Sequence, residues 1–147
     1  MQNNPTWVCV VAAALERADG RWLMHRRPAD KQHGGLWEFP GGKVEPHENP
    51  RQALVRELAE ELGIGVDPQA LTACGLADHA GGPDHPALVI LLYSCREWTG
   101  DPVALEGGDA GWFAADQILR LARPPLDVAL CARLFAGPGH RDDFAQE

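Results

Sequence analysis

The sequence predicts an α/β fold: a central mixed β-sheet with helices on both faces, an α/β/α sandwich. Two apolar, β-branched runs, TWVCVVAAALE (6–16) and ALVILLYSCREW (87–98), read as buried strands. Helical segments are inserted singly among the strands, a pattern that layers helices over a sheet. The 147 residues suit one compact domain, and neither a repeat nor a low-complexity tract marks a second, so 1–147 is expected to fold as one unit.

Residues 6–16 form the first predicted strand. Ala18-Asp19-Gly20 is a turn signal, and RWLMHRR (21–27) alternates well enough to be the return strand of a hairpin. From Pro28 to Pro46 the chain is rich in Gly and Pro and reads as loop, with a short strand at LWEF (36–39). The helix that follows is clearly punctuated. Asn49 is a good N-cap, Pro50 takes the first helical position, Gln52 completes a capping box, and Gly63 ends the helix, giving 50–62. A strand is expected over 71–79, a turn at GGPDHP (81–86) and the strong strand at 87–98. GWFAA (111–115) reads as a short strand leading into a helix. Pro124-Pro125 precedes a last helix of 126–136, and the final ten residues read as frayed.

Composition narrows the function. Hydrophobic residues make up 45% and charged residues 23%, normal for a soluble domain, and no apolar run is long enough to cross a bilayer. The start, MQNNPTWVCVV, lacks the basic segment and small-residue cleavage site of a signal peptide, so a cytoplasmic protein is expected. The net charge of −8 argues against a nucleic-acid polymer as partner, which needs many phosphate-neutralising Lys and Arg; it leaves room for a single metal-bound nucleotide. Cys9, Cys74, Cys95 and Cys131 lie far apart among apolar or small neighbours. They are expected to be reduced core or near-core thiols, without a zinc site or redox motif. The six histidines show no ligand spacing and read as surface or loop residues.

The chemistry concentrates on the helix at 50–62. At about 100° per residue, Glu57, Glu60 and Glu61 share one face beside the apolar stripe Leu54, Leu58 and Leu62. Like charges at this spacing oppose one another, and a divalent cation relieves that directly; carboxylates with waters and a phosphate suit Mg²⁺, with Mn²⁺ able to substitute. A plain solvated acidic face, with Arg56 paired to Glu60, is the competing reading of the three glutamates alone. The preceding Pro40-Gly41-Gly42-Lys43 tips the balance. Adjacent glycines let backbone approach a ligand and offer a carbonyl to a metal, while Lys43 supplies a phosphate counter-charge.

The stretch GGKVEPHENPRQALVRELAEELGI (41–64) resembles the box of the Nudix family, with no departure at any defining position when spacing is counted over 42–64. The approach LWEFPGG (36–42) is similar to the MutT type and its CTP-hydrolysing relatives within that family. The resemblance implies the Nudix fold and hydrolysis of a nucleoside triphosphate to monophosphate and pyrophosphate. It implies Glu57, Glu60, Glu61 and Glu106 as metal ligands together with the Gly41 carbonyl. Glu48 would brace the loop–helix junction through Arg56, or serve as a helix-dipole partner, or both. Arg26 and Lys43 would contact phosphate, with Glu38, and more weakly Asp30, as further substrate residues. Either Glu57 or Glu106 would take the proton of the attacking water.

Asp127 stands where MutT-type enzymes that read oxidised guanine carry an asparagine after Pro-Pro. It is either a base reader or an acid favoured by the helix N-terminus. The resemblance of LWEFPGGK to nucleotide-pool sanitising enzymes favours 8-oxo-dGTP as substrate, with CTP or a modified (d)CTP as the alternative. ADP-ribose and dinucleoside-polyphosphate enzymes of the family tend to carry a proline or tyrosine near Ala80-Gly81-Gly82, and neither mark is there. A non-catalytic binding module would be expected to lose box glutamates, and all are present. The short chain fits a monomer acting on a small-molecule triphosphate.

Overall fold

The computed structural model of the chain describes residues 6–136, so the expectation for the last ten residues lies outside the described residues. The elements are β1 (Trp7–Leu15), β2 (Trp22–Arg26), β3 (Trp37–Glu38), β4 (Gly41–Lys43), α1 (Pro50–Leu62), β5 (Thr72–His79), β6 (Ala87–Cys95), β7 (Asp109–Phe113), α2 (Ala115–Ile118) and α3 (Pro125–Leu134). A short 3₁₀ turn at Pro68–Ala70, which the sequence did not announce, is capped by the Asp67 side chain.

The central sheet is mixed, in the order β4-β1-β6-β5, with β1 and β6 parallel and the other pairs antiparallel. A second, three-stranded antiparallel sheet has the order β3-β2-β7. The predicted hairpin is therefore corrected. The chain pairs across the turn through Arg17 N–H to Arg21 C=O and the Glu16–Trp22 bridge, and then β1 and β2 part into different sheets. Both edges of β1 are already occupied, by β4 and β6, so β2 pairs with β3 and β7 instead. Likewise β6 stops at Cys95, short of the predicted residue 98, because its partner β1 ends at Leu15.

Side chains of β1 alternate between two cores. Val11, Ala13 and Leu15 join Leu54, Leu58 and Leu62 of α1; Ala12 and Ala14 join Leu130, Cys131 and Leu134 of α3. This is the layered arrangement the sequence predicts. Helix α1 runs over the predicted residues. The Asn49 side chain accepts from Gln52 N–H at 2.9 Å, Gln52 Oε1 accepts from Asn49 N–H at 3.0 Å, and Gly63 closes the helix at φ 71°. Such a cap contributes about 1 kcal/mol, and burial of each leucine of the stripe about 1.5–3 kcal/mol. Cys95 and Cys131 are buried, Cys9 and Cys74 half-buried, and all four are free thiols. No helix among the described residues is long and apolar enough to cross a membrane.

Candidate active site

Strand β4 lies in the stretch that reads as loop, because glycine carries no β signal of its own. Gly41 and Gly42 pair with Ala12 and Val11 of β1. Their lack of side chains explains the pairing and also ties it to α1. A Cβ on Gly41 would collide with the Val11 carbonyl oxygen, and one on Gly42 would stand 2.5 Å from the carboxyl carbon of Glu57. The Gly41 N–H donates to Glu61 Oε2 at 2.9 Å. Two of the three glutamates on the helix face thus rest against the glycine strand.

Burial pushes the Glu61 carboxyl up to about 8; the charges of Glu57, Glu38 and Glu106 add to this, and the Gly41 N–H opposes it. Burial also raises Glu57, against the pull of Arg56, with Glu60 and Glu106 raising it further. Glu106 therefore acts on the same carboxylates from its own loop. That loop is tied to the end of α1 by Val103 N–H to Leu62 C=O at 3.1 Å and Leu105 N–H to Glu61 C=O at 2.9 Å. It is also tied to β2 by the contact of His25 Nε2 with Gly107 O at 3.1 Å.

Arg56 is the hub of the junction. Its Nε and Nη2 fork the Glu48 carboxylate at 2.7 and 2.9 Å, Nη1 donates to Glu57 at 2.9 Å and to Glu60 at 3.2 Å, and Nη2 donates to the Lys43 carbonyl at 3.1 Å. This fork, with the Glu45 N–H, holds the Glu48 carboxyl down to about 2. Glu48 and Arg56 therefore make the contact the sequence suggested, and through it α1 is clamped to β4.

Among the described residues no three His, Cys, Asp or Glu side chains already converge at metal-ligand spacing. Glu57 and Glu60 share the Arg56 guanidinium, and Glu61 turns away to the Gly41 N–H. The donor set nevertheless fits a hard divalent cation. These carboxylates raise one another's proton affinity, and a cation relieves that repulsion without needing new ligands.

Gly41, Gly42 and Lys43 also edge a cleft of about 660 Å³, floored by Val10, Ala12, Leu88 and Ile90. Glu38 and Asp127 line it, as the sequence suggested. Asp30 is exposed and is not part of its lining. Arg26 is likewise absent from the lining; its guanidinium pairs with Asp109 on β7 and lies over the Trp37 ring. The neighbouring Arg27 enters the cleft in its place and holds Glu38 at 2.7 Å. The sequence pointed to Arg26 alone; Arg26 lies in β2, paired with β3 and β7, and Arg27 follows the strand. Asp127 is 5% exposed and accepts the Phe39 N–H at 3.0 Å, pinning the start of α3 to the turn before β4. Burial raises its carboxyl to about 7, Glu38 adds to this, and Phe39 N–H, Arg27 and Arg123 oppose it. His33, His79 and His85, read as unrelated in the sequence, all border the same cleft. A larger hollow of about 770 Å³, near Cys74, Arg96 and Leu134, is lined by none of the candidate residues.

The NUDIX domain family matches residues 6–132. The chain is 39% identical over 127 residues to the CTP pyrophosphohydrolase of Escherichia coli K12, covering 86% of this chain and 90% of that one. It is 32% identical over 125 residues to the 8-oxo-dGTP diphosphatase of the same organism, covering 85% and 94%. The solution structure of the Escherichia coli ORF135 protein superposes with a TM-score of 0.78 at 34% identity, covering 90% of this chain and 91% of that one.

Proposed function

This chain belongs to the Nudix family and is a pyrophosphohydrolase of the MutT type, and we propose that it hydrolyses a nucleoside triphosphate, with Mg²⁺, to monophosphate and pyrophosphate. The observation that carries this reading is the seating of Glu57 and Glu61 on Gly42 and Gly41 at the edge of the cleft. Glu57, Glu60, Glu61 and Glu106, with the Gly41 carbonyl, would hold the cations. When bound, Mg²⁺ (or Mn²⁺) supplies a water acidified toward neutral pH and positive charge beside the phosphate oxygens.

The chain's own residues do the rest. Lys43 and Arg27 neutralise phosphate charge at the cleft, with Arg27 aimed by Glu38. Arg56, forked by Glu48, holds Glu57 at the junction, and Glu57 or Glu106 accepts the proton of the attacking water. Water attack at the β-phosphorus breaks the bond to the α–β bridging oxygen, which leaves with the monophosphate. An initial-rate panel of CTP, 5-methyl-dCTP, 8-oxo-dGTP and dGTP, with Mg²⁺ and with chelator, tests the reading. Turnover of at least one triphosphate, abolished by chelator, is expected; no turnover of any would overturn it.

For the base, the buried Asp127 favours a cytosine nucleotide, which reverses the order suggested by LWEFPGGK. One carboxylate oxygen takes the Phe39 N–H and the other is left to accept from an exocyclic amine such as cytosine N4. The likeness to a CTP pyrophosphohydrolase over most of the chain supports the same choice. Oxidised guanine is retained as a second reading because Asp127 sits near neutrality: protonated, it donates to guanine O6. Below about pH 7 the carboxyl is protonated and 8-oxo-dGTP gains; above it the carboxylate accepts and CTP gains. The groups acting on it, namely Glu38 on β3, Arg27 after β2, Arg123 before α3 and the Phe39 N–H, are common to both substrates and cancel in the ratio. The ratio of kcat/KM for CTP over 8-oxo-dGTP should rise from pH 6 to 8. Asp127→Asn should flatten that profile and shift preference toward 8-oxo-dGTP by about 1–3 kcal/mol. An unchanged ratio in the variant would leave Asp127 only an anchor for α3.

A further inference from the structure

His79 ends β5 and His85 precedes β6, and their rings meet edge to face with centroids 4.8 Å apart and planes at 85°. The turn between them is built for that contact. Gly82 N–H donates to the His85 carbonyl at 2.9 Å. A Cβ on Gly81 would stand 2.6 Å from Ala87 N, and one on Gly82 would stand 3.2 Å from His85 Nε2. A side chain at Gly81 would meet backbone, and one at Gly82 would press on the His85 ring. The His79 Nδ1 lies 3.2 Å from the Ala80 carbonyl oxygen. Both histidines border the cleft, next to the apolar floor of Leu88 and Ile90 and on a different element from Asp127.

We propose that His85, seated by His79 and the Gly81-Gly82 turn, is a second base-contacting residue of the cleft, offering its ring face and an N–H to the nucleobase. This rests on the reading that the substrate is a nucleoside triphosphate. The chemistry complements Asp127. An ionised carboxylate accepts from an amine, and an imidazole N–H donates to a ring nitrogen or carbonyl, so a base with both edges, such as cytosine, engages both. The flat ring adds stacking, which tolerates any base. His79 is a positioning residue: it acts through His85.

The test compares wild type, His85→Ala, His85→Phe and His79→Ala on CTP, 8-oxo-dGTP and the base-free ribose 5-triphosphate, with Mg²⁺. For His85→Ala the expected result is a rise in KM of about 5- to 100-fold on the two nucleotides, with kcat little changed. The rise should be absent from ribose 5-triphosphate. His85→Phe keeps the ring and loses the N–H, so it should recover part of the loss while changing the CTP to 8-oxo-dGTP ratio. His79→Ala should shift KM the same way by a smaller factor. Circular dichroism and thermal midpoints matching wild type exclude a folding effect. An equal loss on ribose 5-triphosphate, or no change on any substrate, would overturn the inference. A wild-type protein that hydrolyses none of the three overturns the functional reading itself, and the inference falls with it.

Discussion

Glu60→Gln and Glu61→Gln are each expected to remove most turnover while leaving the fold intact. Glutamine keeps the shape of the side chain, and in Glu61→Gln the new amide oxygen can still accept the Gly41 N–H, so α1 and β4 should stay joined. What is lost is the anionic oxygen proposed to ligate the cation. Loss of one such electrostatic contact costs about 3–5 kcal/mol of transition-state stabilisation, or roughly 10²–10³·⁵ in kcat. Stability should move the other way for Glu61. Its carboxyl is raised from 4.5 to about 8, so the folded chain holds that proton more tightly than the unfolded chain does. Metal-free stability therefore falls as pH rises through that window, and Glu61→Gln removes the loss. Thermal unfolding at pH 8 with chelator should show the variant at or above wild type. Near-wild-type turnover in both variants would refute the metal-ligand assignment.

The two box glycines should separate fold from chemistry. In Gly42→Ala the new Cβ meets the end of the flexible Glu57 side chain, which can swing away. The fold should survive, but Glu57 is displaced from its seat, and activity should fall about 100-fold, equivalent to ~3 kcal/mol. In Gly41→Ala the Cβ meets the backbone of Val11, which cannot move without prising β4 from β1. Destabilisation of about 2–4 kcal/mol is expected, with a melting point lower by roughly 5–15 °C. Unfolding curves and kcat/KM on the two purified variants make the comparison. Wild-type activity in Gly42→Ala would contradict the placement of Glu57 against β4.

Helix α1 was legible in the sequence because cap, proline, capping box and terminal glycine all act within a few residues of one another. The carboxylate face followed from periodicity alone. The short strand at Gly41-Gly42-Lys43 was not legible, since its cause is a long-range pairing with β1 that small side chains permit and do not advertise. The parting of β1 from β2 was hidden for the same reason: competition for the edges of β1 comes from residues 41–43 and 87–95. Of the substrate residues expected from the sequence, Lys43, Glu38 and Asp127 border the cleft, whereas Arg26 pairs with Asp109; Arg27, which the sequence did not single out, borders the cleft. His79 and His85 flank one turn while His33 comes from the loop before β3, and only the fold brings His33 to the same wall. The burial of Asp127 was also invisible, although it is what moves its carboxyl toward neutrality.

In the proposed function, the carboxylate face of α1, seated on the glycine strand, drives divalent-metal-dependent pyrophosphohydrolysis. Phosphorus NMR of products formed from CTP in ¹⁸O-water, with Mg²⁺ and with chelator, tests it most directly. CMP and pyrophosphate in equal amounts are expected, with ¹⁸O in the pyrophosphate from attack at the β-phosphorus, no reaction with chelator and only residual reaction in Glu61→Gln. Release of orthophosphate with CDP, or turnover that persists without a divalent cation, would contradict it.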